Sequence, residues 1–221
     1  MKKFLLLTGV ALSATGLCST IASAQNSKPL AASSVALRAD APVLFAPRGW
    51  KIQQQINGDL NRDGKPDAAL VLVEDKAANE ARRRALVVVL REGKGLRRVG
   101  FNNSLLLGTR DGGAFYGASE TPVNVAIRKG VLHVNQESGS REVLDTTHKF
   151  RFDGQNRMML IGFDSISRDR ATGSAQIISI NYSTGVQYTD TLPADSEKVQ
   201  RKTSRVSRKL RPLEDVKGDE R

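Results

Sequence analysis

The stretch from Asp59 to Asp67 constrains the fold of this chain more than any other segment. It reads Asp-Leu-Asn-Arg-Asp-Gly-Lys-Pro-Asp, so oxygen-bearing side chains recur at short, regular intervals around one glycine. Gly64 allows a sharp turn, because a residue without Cβ reaches positive φ without a steric clash. The apolar run Ala-Ala-Leu-Val-Leu-Val follows at once. This order predicts a tight loop that leads directly into a β-strand.

The spacing of these oxygens predicts a site for a hard cation, and we expect Ca²⁺. This ion takes about six to eight oxygen ligands from carboxylates, carbonyls and water. Carboxylates suit Ca²⁺ better than Zn²⁺, which prefers His and Cys. The alternative is a turn without metal, since Asn, Asp and Gly dominate turns in any case. The candidate ligands are the side chains of Asp59, Asn61, Asp63 and Asp67, and the backbone carbonyl of Lys65.

The loop does not have the pattern of an EF-hand. An EF-hand closes with a bidentate glutamate at its last ligand position, and the corresponding residue here is Leu70. The segment that follows is strand-like, whereas an EF-hand continues into a helix. The ion is therefore predicted to order the loop before a strand.

The motif Gly-Asp-Leu-Asn-x-Asp-Gly-x-x-Asp, continuing into an apolar strand up to Glu74, resembles the calcium loops of FG-GAP and VCBS-type repeats. The wider order of features, from Trp50 through this loop to the Leu-Ile-Gly-Phe-Asp segment, is similar to that of a group of uncharacterised bacterial envelope proteins. The resemblance covers residues 50–188 and implies a calcium-binding envelope protein. The loop occurs once and the chain has no Phe-Gly dipeptide, so a multi-bladed propeller is not implied.

The N-terminus has the pattern of a Sec signal peptide over residues 1–24. Two lysines precede an apolar run from Phe4 to Val10, and Ala22-Ser23-Ala24 provides a cleavage site. Ser and Thr interrupt the apolar stretch, whereas a membrane anchor needs about 20 apolar residues. The pattern predicts a periplasmic or secreted product that begins at Gln25.

Composition limits the disulfides that this product can form and the partners that it can bind. The only cysteine, Cys18, lies in the signal, where Leu17 replaces the small residue that a lipoprotein needs. The mature chain therefore forms no disulfide of its own. The net charge is +11, and such a field favours polyanions such as lipid phosphates or acidic glycans. Aromatic residues make up only 5% of the chain, so no specific nucleic-acid site is expected. The expected partners are an envelope polyanion or another protein.

The mature chain divides into three predicted parts. Residues 25–46 are rich in Ala and Ser and predict a linker or lightly ordered arm. Residues 47–193 predict one all-β domain, an antiparallel meander or sandwich without internal repeats. Apolar runs at 68–74 and 85–90 indicate strands buried on both faces, joined by a helical turn or a long hairpin loop. Further strands are predicted at 123–128, 131–135, 149–152, 158–163, 177–182 and 186–189.

The last part, residues 194–221, predicts a basic charged tail. Seven basic residues and no acid occur between Lys198 and Arg211. On a helix most of them would share one face, which would make peripheral contact with an anionic membrane. The alternatives, which the sequence favours, are a solvated tail or a final strand with charged flanks. We expect little contribution of this tail to stability.

Few groups are candidates for catalysis. Alternation places His133 on one strand face beside Val131 and Asn135, and places His148 beside Phe150 on another strand. A lone strand histidine is more often structural than catalytic. The Gly-rich segment 108–117 lacks the Gly-Lys-Ser/Thr ending of a phosphate loop and predicts a mobile surface loop or a rim that contacts a ligand.

Three carboxylates, at Asp111, Glu120 and Glu137, could pair as acid and base. The sequence cannot bring them together. It therefore predicts an exported, calcium-binding, non-catalytic envelope module with a binding or structural role. The alternatives are an electrostatic binder of envelope polyanions and a hydrolase with scattered carboxylates.

Overall fold

The computed structural model describes residues 28–218, so the predicted signal peptide and its cleavage after Ala24 lie outside the described residues. The fold is all-β, with two antiparallel sheets and three short 3-10 turns. This confirms the predicted fold class. In the described range, no helix has the length and apolar character needed to cross a membrane.

The first sheet has five strands in the order β1-β5-β4-β3-β2. The β3–β4 connection is the long hairpin loop that the sequence offered as one alternative, and β5 was not predicted. The strands are β1 (Arg38–Ala39), β2 (Trp50–Gly58), β3 (Asp67–Glu74), β4 (Arg84–Glu92) and β5 (Gly95–Asn102).

The second sheet has eight strands. Seven of them, β6 to β12, follow one another as a continuous antiparallel meander. β13 pairs with the start of β9, before the residues of β9 that pair with β10. The strands are β6 (Val123–Arg128), β7 (Val131–Gly139), β8 (Glu142–Phe152), β9 (Met158–Asp169), β10 (Ala175–Asn181), β11 (Val186–Leu192), β12 (Gln200–Arg205) and β13 (Arg211–Pro212).

The main core lies between the two sheets. Val71 and Val88 of the first sheet pack in one buried cluster with Leu132, Phe150 and Leu160 of the second. These side chains alternate with outward-facing residues along their strands, which is the pattern of a β-sandwich. The predicted sandwich is therefore observed, and its two layers are the two consecutive meanders.

The segment 28–46 is not a linker, contrary to the prediction. Leu30, Val35 and Phe45 form a second buried cluster on the outer face of the first sheet. Arg98 of β5 holds the segment by donating to the carbonyls of Ala32, at 2.5 Å, and Val35, at 2.8 Å. The physical reason is that β3 and β4 are apolar on both faces, so a third layer is needed to cover them.

The predicted boundary before residue 194 is also wrong. β12 extends the second sheet beside β11, which matches the final-strand alternative. The chain then returns to the core, where Leu213 and Val216 are fully buried. Asn102 donates to their carbonyls at 2.6 and 2.7 Å. Sequence analysis missed this contact because two apolar residues among charges of both signs form no periodic pattern.

Candidate metal loop and charged clusters

The predicted metal loop is the hairpin connection between β2 and β3. Arg62 and Gly64 adopt left-handed backbone conformations, with φ of 64° and 81°. Such values are rare for residues other than glycine. Two left-handed residues in one short loop make the chain reverse sharply and turn the alternate side chains inward.

Three of the predicted ligands converge on the backbone of this turn. The N–H of Asp63 donates to Asp59 Oδ1 and to Asn61 Oδ1, both at 3.1 Å. The N–H of Gly64 donates to Asp59 Oδ2 at 2.9 Å, and that of Lys65 donates to Asp63 Oδ1 at 2.9 Å. The hydrogen bond from Lys65 lowers the pKa of the Asp63 carboxyl, and Asn61 adds to this effect.

Asp67, the fourth predicted side-chain ligand, has a different environment. It is only 1% exposed, and its two oxygens accept hydrogen bonds from the backbone N–H groups of Leu60 and Arg91, both at 2.9 Å. These bonds join the loop to β4. Asp67 is therefore a buried brace of the loop, and no hydrogen bond connects it to the other three side chains within the described residues.

The residues fit Ca²⁺ by their chemistry, since every candidate donor is an oxygen. Each carboxylate oxygen can accept a second hydrogen bond or an ion after its first N–H partner. Across residues 28–218, no group of three or more His, Cys, Asp or Glu side chains stands close enough to hold a metal ion. Ion binding would thus require the carboxylates of Asp59, Asp63 and Asp67 to move closer together than they are here.

The loop also contacts the second sheet. Arg62 donates to the carbonyl of Lys129 at 3.0 Å, and both residues line a cavity of about 320 Å³ together with Asp59. Lys129 and Gly130 have φ of 52° and 74°, which fits the two-residue hairpin turn predicted between β6 and β7. The order of the loop therefore affects the contact between the two layers of the sandwich.

The three carboxylates proposed for acid–base chemistry have separate hydrogen-bond partners, although Asp111 and Glu120 both add negative charge around Arg84. Asp111 accepts the N–H of Gly108 at 2.7 Å. Glu120 accepts a hydrogen bond from Arg84 at 2.8 Å. Glu137 accepts the hydroxyl of Tyr116 at 2.6 Å, which raises the pKa of that tyrosine to about 12.

Glu137 has a carboxylate neighbour that sequence analysis missed. Its cross-strand partner on β8 is Asp145. Burial raises the pKa of Asp145, and Glu137 adds to this effect, although Asn135 opposes it with a hydrogen bond of 2.7 Å. The predicted strand at 149–152 was too short to include Asp145. If the side-chain alternation of this strand had been followed back to Glu142, it would have included Asp145 and could have indicated its pairing with Glu137.

Both histidines occupy the strand faces that alternation predicted. His133 is half-buried on β7, and burial together with Lys149 lowers its pKa. His148 is fully buried and packs against Phe163, with ring centroids 4.8 Å apart, and against Phe150. His148 therefore contributes to the apolar packing of the second sheet.

The basic side chains of the tail do not form one face. β12 is a strand, so Arg201 and Arg205 point to one side of the sheet while Lys202 points to the other. Arg201 also forms a bidentate pair with Asp190, with both distances at 2.6 Å. The strand thus divides the positive charge that a helix would have concentrated.

Comparison with known proteins adds no family to this description: no protein-family model, curated protein or solved structure matches the chain. The resemblance of the loop at Asp59 to FG-GAP and VCBS-type repeats therefore stays a prediction. The function must be argued from the geometry of the described residues.

Glu74 gives the fold a predicted sensitivity to acid. Burial opposes ionisation of this carboxyl, but hydrogen bonds from Arg83 and Lys76 outweigh it and lower the pKa of Glu74 from 4.5 to about 2. A lowered pKa stabilises the fold above the unfolded value, and this stabilisation is lost as the pH falls from about 4.5 towards 2. We expect Glu74→Gln to lack this part of the pH dependence.

The measurement is the urea midpoint of wild type and variant between pH 2 and 6. The advantage of the wild type should shrink as the pH falls. Glu197→Gln, which changes an exposed carboxylate, is the control. A difference between wild type and Glu74→Gln that stays constant over this range would contradict the prediction.

Proposed function

We propose that the chain is an exported, non-catalytic binding or structural module of the bacterial envelope whose Asp59–Asp67 loop takes up Ca²⁺. One observation carries the proposal: the oxygens of Asp59, Asn61 and Asp63 converge on three successive backbone N–H groups within a single turn. Export is supported by the signal pattern of residues 1–24.

Bound Ca²⁺ would supply two positive charges to a loop that carries the carboxylates of Asp59, Asp63 and Asp67. The chain's own residues then transmit the effect. Asp67 anchors one end of the loop to β4, and Arg62 connects the middle of the loop to the turn of the second sheet. A more ordered loop would hold the two layers of the sandwich more firmly, so the ion has a structural role in this proposal.

The two alternative functions have less support from the geometry. Binding of polyanions through the tail needs a continuous basic face, and β12 divides its basic side chains between two faces. Hydrolysis needs paired carboxylates, and the cross-strand pair is Glu137 with Asp145. Tyr116 and Arg168 hold Glu137 of this pair by a hydrogen bond and an ion pair, so a structural role for the pair fits better.

The proposal predicts a stabilising response to Ca²⁺. A ligand that binds only the folded state stabilises it by roughly 2.7 kcal/mol at a hundredfold excess over Kd. Excess chelator should therefore lower the melting temperature of the mature protein, and calorimetric titration should show one binding event. Asp63→Ala should remove both responses.

A matched control is available in the turn after β8. Asp153 also accepts two backbone N–H groups, from Gln155 and Arg157, but it is the only carboxylate in its turn, residues 153–157. Asp153→Ala should lower stability slightly and keep the Ca²⁺ response. A melting temperature that changes with neither chelator nor added Ca²⁺, together with no heat of binding, would show that the loop is a metal-free turn.

A further inference from the structure

Two arginines at the start of β4 are buried at one end of the sandwich. The side chains of Arg82 and Arg84 are only 8% and 2% exposed. Both reach the same carboxylate, Glu120, whose side chain is 41% exposed. Buried charges require close compensation, and here it comes from the partly exposed Glu120 and, without direct contact, from Asp111.

The structure holds Arg84 firmly in this position. Its Nε donates to Gln53 Oε1 at 2.7 Å, and Nη1 donates to the carbonyl of Leu107 at 2.9 Å. Its remaining nitrogen, Nη2, donates to Glu120 Oε1 at 2.8 Å. The guanidinium is therefore pre-oriented, with one edge directed at the carboxylate.

Arg82 is held through its backbone instead of its side chain. Its N–H donates to Thr109 Oγ1 at 3.0 Å, and its carbonyl accepts the N–H of Thr109 at 2.9 Å. The Gly-rich loop that begins there thus braces the residue. The guanidinium lies 3.3 Å from Glu120 Oε1, and its buried Nε has no hydrogen-bond partner among the described residues.

Glu120 does not fill the hydrogen-bonding capacity of the two guanidiniums. Glu120 Oε1 accepts hydrogen bonds from Arg84 and from Gln53 Nε2, the latter at 2.5 Å, and forms an ion pair with Arg82. Its second oxygen accepts no hydrogen bond within residues 28–218. An arginine and a carboxylate or phosphate usually form two parallel hydrogen bonds, so the two guanidiniums have donor capacity that Glu120 does not use. A buried unsatisfied donor of this kind calls for a partner.

We propose that Arg82 and Arg84 form a binding site for an anionic oxygen group, a carboxylate or a phosphate, which Glu120 occupies until a ligand displaces it. Glu120 is suited to this role because it is exposed and projects from the loop between β5 and β6. The buried arginines remain in place when it leaves. This site is independent of the calcium loop.

The variant Glu120→Gln tests the proposal, because it removes the competing charge and keeps the size of the side chain. Inorganic phosphate and acetate are titrated separately by calorimetry at constant ionic strength. We expect the variant to bind one of these anions about tenfold tighter than the wild type. Tighter binding of phosphate alone assigns a phosphate site, and tighter binding of acetate alone assigns a carboxylate site.

Glu92→Gln is the matched control. Glu92 also joins two arginines, Arg38 and Arg97, but their side chains are 67% and 31% exposed. Its replacement should leave anion affinity unchanged. The double variant Glu120→Gln with Arg82→Met should lose the gain in affinity, and the comparison of the two glutamine variants stands even if this double variant does not fold. Equal anion binding, or none, in the wild type, Glu120→Gln and Glu92→Gln overturns the proposal and leaves the cluster as a structural brace.

Discussion

A chain that ends at Leu210 should be largely unfolded at 25 °C. It would lack Leu213 and Val216, which are both 0% exposed in the core between the sheets. Loss of one buried leucine side chain costs about 2–5 kcal/mol. The buried amide of Asn102 would also lose both of its carbonyl partners, at about 1–3 kcal/mol for an unsatisfied group. Together these losses approach the whole stability of a typical domain, about 5–15 kcal/mol.

Urea denaturation followed by far-ultraviolet circular dichroism measures this effect. Two full-length variants separate core packing from mere shortening of the chain. Leu213→Ala should lower the free energy of unfolding by about 2–5 kcal/mol. Leu210→Ala changes the same residue type at a partly exposed position outside the core clusters and should cost much less. A truncated chain with the midpoint of the full-length protein would show that the tail is dispensable.

Phe45→Ala is expected to lower the free energy of unfolding by about 3–5 kcal/mol. Phe45 is 0% exposed and packs with Leu70 and Val87, on the outer face of the first sheet. The large effect follows because a phenyl ring is removed from a site that the two strands cannot collapse to fill. The measurement is the same denaturation experiment.

Leu44→Ala is the control for this prediction, since the neighbouring side chain is 58% exposed. It should change stability by no more than about 0.5 kcal/mol, as surface substitutions usually do. If Phe45→Ala behaves like Leu44→Ala, the N-terminal segment is detached in solution and the linker predicted from composition describes it better.

The strands that the sequence predicted well are those with strong local signals. The apolar runs of β3 and β4 and the Lys129-Gly130 turn between β6 and β7 were recognisable because each signal lies within a few neighbouring residues. β5 was missed because polar and basic residues interrupt its pattern. The sequence did not decide whether the segment of β12 is a helix, a solvated tail or a strand, because this strand is almost entirely exposed.

The two candidate sites also differ in how close together their residues lie along the chain. The candidate metal ligands span only positions 59–67, so spacing alone could predict them. The structure added that Asp67 is buried and braced, whereas Asp63 is exposed. The proposed anion site joins Arg84 to Gln53 and Glu120, which lie 31 residues before it and 36 residues after it. No local pattern connects them, so this site could not be found from the sequence.

The sequence by itself determined the all-β class, the loop with its oxygen-bearing side chains, and the strands that are apolar on both faces. It could do so because side-chain alternation and turn residues act over short distances along the chain. Only the tertiary structure decided what covers those strands and where the tail returns to the core. Leu30 and Leu213 have no large apolar neighbour along the chain, and Phe45 follows two apolar residues that stay exposed. Their burial depends on surfaces that exist only after distant strands have paired.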